Sequence, residues 1–387
     1  MTEQVVIALD LCFLWAKEMQ ALLGEVAKQT SLRTDQITVT FSHTHAAGLY
    51  GSERHIFPGG ELIAPYLAFL AKRVADVVRQ ARRGPPTAFI SYGIGRCNLA
   101  FKCDGVADDT LIVARVTEEV TGNLLGTIVN YACRPASLGP HNYRISPDFA
   151  GAMRELVEQA TDAPCIFLQG ACGNLDPREN SSNDPEVADR NGRQLAEAAL
   201  AVLGGMPGVA SVVDDVLDRL TYWRRKTWTL PLAYRPDLPQ WNDLATERDR
   251  LFAEEQAARN RGDDTRAVEC RHEAELAVRS MSLLLGLPRG DHFPFPITLW
   301  QLGTAFWLAI DSLPFQDLQM KLRQRFPETP IMIMTLANGI RASYLPRAED
   351  YGTEAGRGFA AVLAVGCLEE LTEEIGRTIE EWRNSAP

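Results

Sequence analysis

The 387-residue chain has no CxxC pair, no internal repeat and no apolar run near the ~20 residues that a membrane-spanning helix needs. Zinc ribbons, thioredoxin-type redox motifs, solenoids and helical membrane spans are therefore poor readings. Eight cysteines are scattered over positions 12, 97, 103, 133, 165, 172, 270 and 367, the pattern of unpaired thiols in a cytoplasmic protein. The opening MTEQVVIALDLCFLW has no basic segment, and Asp10 breaks its short apolar run, so it reads as strand then helix rather than an export signal. Basic residues are in deficit, 39 against 50 acidic, for a net charge of −11, which argues against a nucleic-acid partner. Hydrophobic residues at 46% and charged residues at 23% are ordinary globular values, which exclude a disordered or fibrous chain.

What is present is an alternation of strand and helix patterns. Strands are expected at 5–10, 37–42, 88–92, 111–117, 125–131 and 165–168, and helices at 13–28, 61–83, 148–160 and 186–203. From about residue 208 the texture changes. Strands at 210–215 and 219–223 precede a proline-rich linker at 230–239. Residues 243–285 are dense in Glu, Arg and Ala and break at Arg261, Gly262, Asp263 and Asp264, which predicts a helical hairpin with solvated charged faces. Strands return at 298–302, 305–310 and 331–336, and a last helix is expected at 355–382. The order predicts an α/β fold with a central mixed β-sheet flanked by helices, in one domain over residues 1–387, with the hairpin as an insertion at about 240–287.

Four segments carry residues suited to chemistry. Ser42, His43, Thr44 and His45 follow a strand, and in an extended chain residues i and i+2 share a face, so two of the six histidines converge at a strand tip. They read as a functional pair or as hydrogen-bonded structural histidines. The turn at 169–177 (QGACGNLDP) holds Gly170 and Gly173, glycines able to take positive φ or to let a substrate approach. It matches neither GxxxxGK[ST] nor GxGxxG. Residues 130–138 (NYACRPASL) are followed by ISPD at 145–148. The last segment joins Asn338 and Gly339 to Ser343 and Tyr344. A cysteine nucleophile, Cys172 or Cys133 with His45 as base, is conceivable, but nothing in the spacing demands it.

In this order the segments resemble the N-terminal domain of the neutral/alkaline (non-lysosomal) ceramidase family. That family has a THTH-type segment, an N-x-x-x-H-P segment followed by I-S-x-D, a Q-G-x-x-G-D segment, a G-E-P-[FY] segment and a late Asn–Tyr segment. The matches span about residues 5–357 and include 311–315 (DSLPF). They are nearest the short prokaryotic members that lack the C-terminal immunoglobulin-like domain. Members usually carry about one more strand–loop unit ahead of the position matching Val5, so the start is expected to be shortened or to lie upstream. The resemblance implies a zinc-dependent amide hydrolase, in which zinc lowers the pKa of a bound water and polarises a carbonyl.

Carried over residue by residue, His43 and Tyr344 stand at metal-ligand positions and His45 at the oxyanion position. The histidine of the H-P segment is Arg134, the G-E-P glutamate is Leu313, and a serine implicated in catalysis is Asp176. Arg has no lone pair to offer zinc and Leu has no donor atom, so the metal site is degenerate. His141, Asp148 and Asp311 are the candidate replacement ligands. Arg134, Gly170 and Gly173 are the candidate substrate contacts, and His45 and Asp176 the candidate catalytic groups. Two functions follow as expectations. One is a ceramidase-like hydrolase of an amide bond in a small molecule, zinc-assisted where the ligand set is rebuilt. The other is a metal-free member that binds an anionic small molecule or a protein partner in the same pocket. Arg134 is expected to bind that anion, or to pair with Asp148, Asp176 or Asp311.

Overall fold

Apolar residues at every position of a strand require cover on both faces, and this requirement sets the layering. The computed structural model describes residues 3–84, 86–103, 105–207, 223–352 and 361–385. β1 (Val5–Leu9) and β2 (Ile37–Phe41) form a parallel pair connected through α1 (Ala16–Thr30). α2 (Ile63–Ala81) packs beside α1 and leads into β3 (Ala88–Arg96) and the short β4 (Ala100–Phe101). β5 (Thr110–Glu118), β6 (Leu124–Tyr131), α3 (Asp148–Thr161), β7 (Cys165–Gln169), β8 (Asp176–Pro177) and α4 (Pro185–Gly205) follow.

The first four-stranded sheet has the order β3-β5-β6-β7, antiparallel except for the parallel β6–β7 pair. The second contains β9 (Trp223–Ala233), β10 (His292–Leu302), β11 (Ala305–Ile310) and β13 (Ile331–Met334) in the order β13-β11-β10-β9. Two short pairs complete the set: β4 with β8, and β12 (Leu313–Pro314) in parallel with β14 (Tyr344–Leu345).

The α/β expectation holds, with the strands shared among several sheets rather than gathered in one. The period of two explains the division. Leu111 and Val113 of β5 face the helices α1–α4, whereas Ile112 and Ala114 face the opposite sheet. Phe306, Leu308 and Ile310 of β11 face α7 (Asp317–Arg325) and α8 (Cys367–Asn384), whereas Ala305, Trp307 and Ala309 face inward. The two sheets thus meet across Leu168, Trp300, Trp307, Met332 and Met334. Asn130, fully buried, ties them together. Its Nδ2 donates to the carbonyls of Leu168 and Ile333, at 2.9 and 2.8 Å, and its Oδ1 accepts the Ile333 N–H.

The helical hairpin is present as α5 (Trp241–Asn260) and α6 (Asp264–Leu285), inserted between the paired strands β9 and β10. The turn takes Gly262 through φ 72°, and Asp263 caps α6 by accepting the Arg266 N–H. Three expectations change. Residues 230–233 are strand rather than linker, and Pro231 is tolerated because β9 is an edge strand. α7 was not legible, since DLQMKLRQR buries only Leu318, Gln319 and Leu322. The final helix starts at Cys367, after Gly366 in the left-handed region, while Ala361 and Leu363 form bridges to Ser343 and Tyr234. The strands expected at 210–215 and 219–223 lie, Trp223 apart, outside the described residues. Among the described residues no helix is long and apolar enough to cross a membrane.

Candidate functional site

The ends of β1, β2, β6 and β7 carry the chemistry-bearing segments, as open α/β sheets tend to arrange them. Pairing continues past the strands: Ser42 N–H donates to the Leu9 carbonyl and His43 N–H to that of Leu11. His43 then takes φ 63°, an uncommon conformation for a residue with a Cβ. The segment is therefore a turn rather than an extended chain. That turn, and not strand alternation, brings the His43 and His45 rings to 5.0 Å in an edge-to-face contact. His45 is exposed, with its N–H donating to the Pro135 carbonyl at 2.9 Å.

His43 is buried. Its Nδ1 lies 2.8 Å from the carbonyl of Cys12, which can only accept, so Nδ1 carries the proton and Nε2 the lone pair. Nε2 is buried and has no hydrogen-bond partner. Burial holds the imidazole neutral and lowers its pKa to about 4; the Cys12 carbonyl opposes this and the Arg134 charge adds to it. Below about 6.5 the unfolded chain takes up a proton here that the fold refuses, so stability falls as the pH drops from 6.5 toward 4. Asp311, raised to about 6 by burial, acts in the opposite sense over part of the same range, because its fold accepts the proton first. The test is a comparison with His43→Asn, since Asn tolerates the left-handed backbone. The stability gap between wild type and variant in urea unfolding is expected to move by about 2 kcal/mol against the wild type between pH 7 and pH 5. A gap independent of pH would show that His43 protonates freely in the fold.

Arg134 is buried at the centre of the site. Its Nε donates to Asp176 Oδ1 at 2.7 Å, Nη2 donates to the same oxygen, and Nη1 donates to the Tyr344 hydroxyl at 3.3 Å. Burial pulls its pKa down, but Tyr344 and Asp176 outweigh this and raise it, so the guanidinium is fixed as a cation. Leu313 is the register partner of Tyr344 in the β12–β14 pair, so their side chains leave the same face. Positions 134, 313 and 344 thus come together with Asp176, and Arg134 acts electrostatically on His43.

The remaining candidates lie elsewhere or do other work. His141 is exposed in the loop after β6. Asp148 accepts the N–H groups of Leu138 and Phe149 at 3.0 and 2.7 Å, which fixes the 134–138 loop to the start of α3. Asp311 is paired with Arg341 at 2.5 Å and lines a different cleft. Gly170 and Gly173 are not at positive φ. A Cβ on Gly170 would sit 2.9 Å from Gln319 Oε1, and one on Gly173 would sit 2.7 Å from the Leu313 carbonyl. Close packing of the turn onto its neighbours is what requires glycine at both. Cys133 and Cys172 are fully buried and their thiols are pushed up by burial, Cys172 to about 12, so neither offers a thiolate.

Sequence reasoning missed Cys12. It lies just past β1 as His43 lies just past β2, and the parallel pairing of those strands was the available signal. Cys12 Sγ is 3.5 Å from His43 Nδ1. Donor atoms of Cys12, His43 and His45 lie within 4.8 Å of one another.

The zinc implied by the resemblance does not fit the residues at its four positions. A cation held by Tyr344 would lie against the Arg134 guanidinium, and Leu313 contributes no donor. The Cys12, His43 and His45 group offers three donors, but burial pushes the Cys12 thiol up to about 12 despite Arg279 and Arg134.

No protein-family model matches the chain, and no curated protein matches it. Solved structures that resemble it include a neutral ceramidase from Pseudomonas aeruginosa, 14% identical with a TM-score of 0.65 over 98% of this chain and 66% of that one. A ceramidase complexed with C2 is 13% identical, with a TM-score of 0.66 over 98% of this chain and 67% of that one. The chain therefore spans about two thirds of the length of these proteins, and at such identity the likeness is one of architecture. The fold is ceramidase-like.

Proposed function

We propose that this protein uses the ceramidase-like fold without the ceramidase metal, and binds a small molecule through a carboxylate or carbonyl oxygen at Arg134. The observation that carries the reading is the guanidinium itself. It occupies the position of a metal-ligating histidine in the resemblance and makes contact with Tyr344, a second ligand position. An arginine has five N–H groups; two on this one are directed at Asp176 and one at Tyr344, which leaves two for a ligand oxygen. The exposed ring of His45 and the lone pair on His43 Nε2 supply a donor–acceptor and an acceptor beside it.

A second reading rests on a different observation, the convergence of Cys12, His43 and His45. It is hydrolysis of an amide bond, with a metal held by those three residues supplying Lewis-acid polarisation of the carbonyl. Metal content separates the two. Protein purified without chelator or affinity tag is expected to contain far less than one zinc per chain by plasma mass spectrometry, and His43→Asn is expected to leave that value unchanged. Close to one metal per chain, lost in His43→Asn, would overturn the first reading and favour the second.

A further inference from the structure

A second cleft, of about 270 Å³, opens at the end of β2 opposite to His43. Its floor is a row of residues in register across the second sheet, Thr227 of β9, Thr298 of β10 and Ala309 of β11. Met19 and Leu23 of α1 and Ile37 of β2 give it apolar walls. Arg225 stands two residues before Thr227, and Asp311 two residues after Ala309. Both therefore share the floor's face. β9 and β11 run in the same direction, so the two charged residues lie at diagonally opposite ends. Two interstrand steps and four residue rises separate their Cα atoms by roughly 16 Å.

Each end presents an unsatisfied group. Arg225 Nη2 donates to the Asp35 carbonyl at 2.9 Å, but its Nε is buried without a partner, and among the described residues Arg225 makes no ion pair. Asp311 is 2% exposed. Its Oδ2 accepts from Arg341 Nε at 2.5 Å, while its Oδ1 has no hydrogen-bond partner. An orphaned buried polar atom costs free energy, and one on each charged group of a single cleft points to a ligand that satisfies both.

We propose that this cleft binds an extended bifunctional small molecule, with an anionic oxygen group at Arg225, an amine at Asp311 and a short apolar chain between them. A guanidinium that makes no ion pair among the described residues selects a carboxylate, an unpaired carboxylate oxygen selects an N–H donor, and the methyl and aliphatic groups between them suit methylenes. A Cα separation of this size suits a ligand whose two charges stand apart better than an α-amino acid, whose charges are adjacent. An ω-amino acid is the simplest member of the class.

Isothermal titration of the full chain with 6-aminohexanoate tests the proposal, with hexanoate, hexylamine and glycine as single-ended or short controls. Saturable binding of 6-aminohexanoate is expected, with each control at least about tenfold weaker, a difference of about 1.4 kcal/mol. Arg225→Gln, which keeps an N–H donor at the level of Nε and removes the charge, is expected to weaken 6-aminohexanoate binding at least about tenfold. Hexanoate or hexylamine binding as tightly as 6-aminohexanoate would overturn the proposal, as would no saturation by any probe up to about 10 mM. Binding that survives Arg225→Gln would overturn it too, because a carboxylate held at Arg134 does not depend on Arg225. The comparison among probes uses wild-type protein and stands whatever the variant does to folding.

Discussion

Arg134→His combined with Leu313→Glu is expected to convert a protein with little zinc into one that holds about one zinc per chain, with His43 and Tyr344 completing a four-ligand set. Two contacts support this geometry. Arg134 reaches the Tyr344 hydroxyl, and Leu313 is the β-register partner of Tyr344. Replacing the guanidinium removes the positive charge that opposes a cation, and the new carboxylate enters a fully buried position where only a metal or a cation compensates it. The apo form of the double variant is therefore expected to be less stable than the wild type, and to regain stability as zinc is added, since a ligand that binds only the folded state stabilises by mass action. Metal analysis and a zinc-dependent rise in Tm check the two halves. A folded double variant that takes up no zinc would show that the four positions do not converge on one point.

Asp176→Asn is expected to destabilise the protein by about 3 kcal/mol, because it strands a buried guanidinium. The Arg134 side chain is 7% exposed and that of Asp176 is 33% exposed. The asymmetry matters. Removing the carboxylate leaves a charge that water scarcely reaches, whereas removing the guanidinium leaves a carboxylate that can hydrate. Arg134→Met is accordingly expected to cost less, about 1–2 kcal/mol, and the double variant Arg134→Met/Asp176→Asn less than the sum of the two. Urea unfolding of the three variants gives the coupling directly. Additive effects would mean that the pair contributes nothing as a pair, and that Arg134 is held by Tyr344 and packing alone.

Much of the architecture was legible in local pattern. ITVTF at β2, buried at every position, is β-branched or aromatic throughout, and the hairpin of α5 and α6 announces itself by its charge density and its Arg-Gly-Asp-Asp break. Segments with few apolar residues hid their structure. α7 buries two leucines and a glutamine, and the proline-bearing end of β9 is a strand only because it lies at a sheet edge. At the site, the convergence of His43 and His45 was legible but its cause was not. A left-handed residue turns the chain where alternation along a strand had been expected.

The sequence by itself determined the order of most strands and helices, and the placement of His43, Arg134 and the Gly170 turn just beyond strand ends. These follow from residue chemistry and from spacings of a few positions. Only the tertiary structure decided which side chains meet. Arg134 finds Asp176 42 positions away and Tyr344 210 positions away, Cys12 meets His43 across 31, and Asp311 turns to Arg341 across 30 and so leaves the site where it was expected to serve. Such pairings depend on strand register and on the division of the strands into two facing sheets. That division is set by burial on both faces of strands far apart in the chain, which no local pattern encodes.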